Sequence, residues 1–143
     1  MQMPLPRLTV IDRGLQEFAD CHGFVLHING HCMMPTLNDR DRVLVRRAAQ
    51  YRTGDILAVR LADGQLVCHR LIGTFFWGRE THYMTRPDRG GKPDAGVTRS
   101  MIIGKISARD SGVLLPIPTV LFRLQLFLSF FYCLSRRFFE KIK

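Results

Sequence analysis

The spacing of hydrophobic positions changes character twice along the 143-residue chain. Between residues 8 and 22, Leu8, Ile11, Leu15 and Phe18 recur at three- and four-residue steps, which predicts one short amphipathic helix. Gly23 supplies its stop. From there the pattern becomes that of strands, in short runs at 24–28, 42–46, 55–61, 66–72, 75–77, 82–85 and 101–107. Turn signals separate the runs: Asn29-Gly30, Asn38-Asp39, Thr53-Gly54, Asp63-Gly64, Gly78 and the loop at 90–94. This spacing predicts a mainly β protein, a curled and mostly antiparallel β domain. The clearest hairpin is Asp63-Gly64 between Leu61 and Leu66, which sets the 66–72 strand beside the 55–61 strand. A third pattern begins after residue 112, where 113–134 is strongly apolar with Pro116 and Pro118 near its start and Arg123 and Gln125 inside. The expected organisation is an N-terminal helix (1–23), a β domain (24–112) and a hydrophobic C-terminal helix with a basic tail (113–143).

Composition narrows the class. At 46% hydrophobic residues, the chain is long enough for a single core and too short for two. The formal charge of +9 and pI near 10.1 suit nucleic acid, an anionic membrane surface or an acidic partner, and charge alone does not choose among them. Four cysteines, at 21, 32, 68 and 133, form no Cys-x-x-Cys pair and no zinc-like spacing with the five histidines. No metal and no other cofactor is expected, and unpaired thiols fit a reducing compartment. Residues 1–14, with prolines at 4 and 6, offer neither a signal-peptide core nor an anchor.

The stretch with most chemistry in it is Gly30-His31-Cys32-Met33-Met34-Pro35-Thr36-Leu37. It is similar to the Gly-x-Ser-Met-x-Pro-Thr-Leu motif of type I signal peptidases, in the S26/S24 peptidase superfamily, with Cys32 where that family has its nucleophilic serine. Later segments follow in the family's usual order: Gly54-Asp55-Ile56-Leu57, Val67 to Gly73, Thr85-Arg86-Pro87-Asp88 with Pro93-Asp94, and Ile102-Ile103-Gly104-Lys105-Ile106. His69 occupies the base position, 37 residues after Cys32, and so resembles the histidine-base branch rather than the lysine one. A glycine of that branch is Pro87 here. The resemblance implies an endopeptidase with a Cys32, His69 and aspartate constellation, Asp94 being favoured as the orienting carboxylate and Asp88 the alternative.

Each part has a physical reason. A free thiol is mostly protonated at neutral pH, and pairing with an imidazolium is expected to lower its pKa. His69 would then protonate the leaving amine. A carboxylate on the far ring nitrogen would hold the tautomer. The backbone N–H of Cys32 is the candidate oxyanion donor. Alternation along 66–72 puts Val67, His69 and Leu71 on one face and Cys68, Arg70 and Ile72 on the other, so Cys68 is expected to face away and pack. Met33, Met34 and Pro35, with Leu37, either line the substrate groove or fill the core. By resemblance the substrate is an extended peptide or preprotein cut after small residues.

The C-terminal segment is a poor membrane span, because its uninterrupted apolar part, 126–134, is far shorter than the roughly 20 residues a span needs. Basic residues follow at Arg136, Arg137, Lys141 and Lys143. An interfacial or re-entrant helix is expected, on the cytoplasmic side of a membrane, the alternative being a helix packed on the domain. Two other functions remain open: a catalytically inactive peptide-binding module, and a self-cleaving nucleic-acid-associated regulator, since LexA-type repressors share the peptidase fold. Against the second stand the histidine base and the lack of a convincing helix-turn-helix before Gly30, so nucleic acid is not the expected partner. Oligomeric state is open.

Overall fold

The computed structural model describes residues 9–142, apart from the side chains of Ala95 and of residues 137–142. Seven strands form one antiparallel curled sheet in the order β1-β2-β7-β3-β4-β5-β6, flanked by two helices. The strands are β1 (Phe24–His27), β2 (Arg42–Arg46), β3 (Ile56–Arg60), β4 (Leu66–Trp77), β5 (Glu80–Arg86), β6 (Asp94–Thr98) and β7 (Ile102–Arg109). The 63–64 hairpin forms as its residues dictate, pairing Leu57 with His69 and Ile56 with Arg70. The break expected between 72 and 75 does not exist: β4 runs through it and returns as β5 over Gly78 and Arg79, both with positive φ, the requirement of a tight two-residue hairpin turn. β6 was not among the expected strands, and its first residue, Asp94, fell in the expected 90–94 loop. It pairs with β5, setting Thr85 opposite Asp94.

Helix α1 (Val10–Cys21) starts at a capping box. Thr9 and Asp12 satisfy each other's donors: the Asp12 N–H donates to Thr9 Oγ1 at 3.2 Å, and the Thr9 hydroxyl donates to the Asp12 carboxylate at 2.8 Å. Of the stripe that predicted the helix, only Leu15 among the described residues packs against the core. Asp12, Gln16 and Ala19 are buried, whereas Ile11 and Phe18 are 71% and 63% exposed; Leu8 lies outside the described residues. Polar partners explain the inversion. Arg60 binds Asp12 through Nε at 2.9 Å, and Gln16 Nε2 donates to the backbone carbonyls of Ser100 and Ile102 at 2.8 and 3.2 Å. Burial alone would push Asp12 up, but the hydrogen bonds from Thr9 and Arg60 prevail and hold it below the usual carboxylate value.

Helix α2 (Val120–Ile142) packs on β4 and is part of the domain. Leu126 and Phe130 are buried with Ile72 and Met84, each burial stabilising by about 1.5–3 kcal/mol. The helix comes this close because of Gly73, where a Cβ would overlap the ring of Phe130. Arg86 on β5 adds a hydrogen bond to Ser129 Oγ at 2.6 Å. No helix of the described residues is long and apolar enough to cross a membrane.

Candidate active site

The 28–41 segment joins β1 to β2 and carries Cys32. Its base is closed by two backbone bonds, Ile28 N–H to Asp41 O and Arg40 N–H to Ile28 O, both 2.8 Å. Its interior is anchored by Met33 and Leu37, which are 1% and 0% exposed and sit in the core with Val43, Val45 and Ile103. A segment plugged into the core at two points holds its remaining residues in fixed places. Cys32 lies next to the first plug, half-buried, and its carbonyl accepts the Arg89 N–H at 3.0 Å. Met33 therefore fills core and does not line a groove, and the same holds for Leu37. Met34 is partly exposed, and Pro35 lines a cavity of about 230 Å³ with Thr36, Arg70, Asp88 and the α2 residues Phe122 and Leu126.

His69 projects from the middle of β4 and is mostly buried. Its Nδ1 meets the carboxylate of Asp94 at the start of β6. The strand register allows this contact: Leu71, Thr85 and Asp94 lie in one row across β4, β5 and β6, and His69, two residues from Leu71 along β4, reaches Asp94 diagonally. Thr85 Oγ1 donates to the same carboxylate oxygen at 2.9 Å. With Nδ1 so engaged, Nε2 is the ring atom left for proton transfer.

Asp88 does something else. Arg70 grips it through Nε at 2.6 Å and through its terminal nitrogen at 2.5 Å, and Thr36 donates its hydroxyl to it at 2.6 Å. Arg70 also donates to the carbonyl of Gly54 at 2.8 Å and lies over the ring of Phe122. Of the two candidate aspartates, Asp94 touches His69 and Asp88 is consumed by an ion pair that ties the Cys32 segment to the 87–90 turn. Thr36, Arg70 and Thr85 were all inside quoted motifs, yet only the three-dimensional pairing shows what they hold.

The thiol departs from expectation in two ways. Burial pushes Cys32 above the ordinary thiol value of 9.0; the N–H groups of Cys32 and Met33 pull it down, while the carboxylates of Asp88 and Asp94 push it further up. Among the described residues no hydrogen bond joins Cys32 to His69. Burial and the two carboxylates thus work against the thiolate that the expected pairing with an imidazolium requires. Cys68 does not face away from it either. It is buried in the core cluster against which Cys32 packs, and burial first, then the proximity of Cys32, raises it to about 12. Met33 and Leu37 carry the 28–41 segment into that same cluster. His31 beside Cys32 is exposed.

No curated protein matches this chain. The sequence model of one family, described as Peptidase S24-like, matches residues 2–76, more than half of the chain and the part that holds the Cys32 segment and the His69 strand. Together with the curled antiparallel sheet, that match shows that the chain belongs to the Peptidase S24-like family.

Proposed function

We propose that the protein is an endopeptidase that cuts an extended peptide or leader after small residues, in the manner of signal peptidases, with Cys32 as nucleophile, His69 as base and Asp94 as its orienting partner. The observation that carries this reading is the His69–Asp94 contact, reinforced by Thr85, in a peptidase-family chain where the Asp94 carboxylate also acts electrostatically on Cys32. Because the thiolate is disfavoured, the chemistry follows general-base lines. His69 Nε2 takes the thiol proton as sulfur attacks the scissile carbonyl, and the resulting oxyanion is met by backbone N–H groups of the Cys32 turn. The proton passes to the leaving amine, the C–N bond breaks and a thioester remains. Water, deprotonated by the same imidazole, then releases the acid and restores the thiol.

Substrate approach is supported by the sheet's two open edges. β1 runs directly into the Cys32 segment and β6 begins at Asp94, so an extended chain has unpaired backbone groups available on either flank. The test is cleavage of a peptide mixture bearing small residues at varied positions, with products mapped by mass spectrometry. Cut sites after small residues, lost in Cys32→Ala and in His69→Ala, support the proposal; cleavage indifferent to both variants overturns it.

The raised thiol favours one competing reading, an inactive module that binds peptides without cutting them. Binding of the same peptides with no product at any pH identifies that case.

A further inference from the structure

Helix α2 uses only one side against the domain. Phe122, Leu126, Phe130 and Cys133 point to the core cluster, at three- and four-residue steps. The opposite side would ordinarily be polar. Here it is apolar: Leu121, Leu124, Phe127, Leu128, Phe131 and Tyr132 are each at least half exposed. Val120, at the helix start, and Ile117 before it are more than four-fifths exposed and extend the same character. The β4–β5 hairpin adds Phe76 and Trp77, also exposed, beside Phe75, which packs on the same core cluster as Cys133 and Leu134. A continuous apolar surface of this kind on a protein of 143 residues marks a docking face.

From this surface we infer that the protein binds peripherally to anionic lipid, with α2 lying in the plane of the interface. Three observations select this occupant. Arg123 lies exposed at the border of the apolar face, Arg136 follows toward the helix end, and the sequence beyond adds Arg137, Lys141 and Lys143. A basic rim around an apolar face complements acyl chains below and anionic headgroups around them. The same charge disfavours a second copy on this face, since two chains of formal charge +9 would be brought together. The buried face limits depth: with Leu126 and Phe130 committed to the domain, α2 can sink only by its outer half, which is interfacial and not transmembrane. The inference stands apart from the peptidase reading, because it uses none of Cys32, His69 and Asp94.

Cosedimentation of the full chain with vesicles tests it, using phosphatidylcholine alone and phosphatidylcholine doped with phosphatidylglycerol. The protein is expected in the pellet with the doped vesicles and largely in the supernatant with the neutral ones, binding weakening as salt is raised. The triple variant Leu124→Gln/Leu128→Gln/Phe131→Gln changes exposed positions only; it should keep the wild-type unfolding temperature and lose binding. Arg123→Gln should weaken partitioning about fivefold, the share of one basic residue near an anionic surface. A wild-type chain that ignores both vesicle types, or a triple variant that pellets like wild type, overturns the inference. So does a dimer in light scattering that the triple variant dissolves, which would assign the face to a second copy.

Discussion

Thr36 donates its hydroxyl to Asp88 across 2.6 Å, and this bond ties the segment bearing Cys32 to the turn that precedes Asp94. Arg70 completes the tie from the position next to His69, binding both carboxylate oxygens. Three stretches distant in sequence thus share one buried ion pair, and the candidate site inherits its rigidity from it.

The two aspartates should therefore fail differently. Asp88→Ala strands a guanidinium that is only 6% exposed and is expected to lower stability by about 3 kcal/mol, the usual order for breaking a buried pair. Asp94→Ala leaves the fold nearly intact and reduces cleavage on the order of ten-thousandfold, as loss of an orienting carboxylate does elsewhere. Chemical denaturation and peptide cleavage, measured on both variants, check this division; parallel losses in the two would contradict it.

A nucleophile that stays protonated until its base acts behaves as a hydroxyl does. Cys32→Ser is accordingly expected to retain measurable cleavage, with Cys32→Ala silent and the fold unchanged by circular dichroism. An inactive serine variant of native stability would mean that the sulfur is needed as preformed thiolate, contrary to its burial and carboxylate neighbours.

Thiol reactivity and alkaline stability follow from the same environment. Iodoacetamide near neutral pH should label exposed Cys21 first, Cys32 slowly and Cys68 last, with Cys32 gaining as pH passes above the ordinary thiol value. Peptide mapping after timed labelling gives the order. For Cys68 the sign is fixed by the direction of its shift: the unfolded chain releases the proton near 9.0 and the folded one near 12. Its contribution is whole below 9.0 and is lost as pH rises toward 12, so stability declines across that window. Cys68→Ala should flatten the decline in urea melts taken at successive pH values.

Gly73→Ala forces a methyl group into the ring of Phe130. Overpacking of this sort costs about 1–3 kcal/mol, and here it should loosen α2 from β4 before it disturbs the sheet. Hydrogen exchange that quickens in 120–136 while β3 and β7 stay protected would verify the order of loss. Deleting the helix outright is more severe, because Ile72 and Met84 would be uncovered.

Strand pattern and turn chemistry made most of the sheet legible, since half-buried strands alternate and Asp63-Gly64 announces its hairpin. α1 was legible as a helix but not in its orientation: Asp12 and Gln16 are buried because Arg60 and the carbonyls of Ser100 and Ile102, distant in sequence, receive them. β6 was hidden by Gly96, which carries a positive φ within the strand span. In the site, sequence reasoning favoured Asp94 over Asp88 by likeness alone, whereas the register sets Asp94 in the row of Leu71 and Thr85, within diagonal reach of His69. Alternation put Cys68 and His69 on opposite faces but could not show that Met33 and Leu37 plug the Cys32 segment into the Cys68 cluster.

β1 and β6 are the two edges of an open sheet, one leading into the Cys32 segment and the other starting at Asp94. An extended ligand laid there would act like a missing stave, giving edge amides the partners they lack. Its binding would then register as slowed amide exchange along one or both edges, a signal independent of turnover, so an inert variant would report ligands as faithfully as an active one.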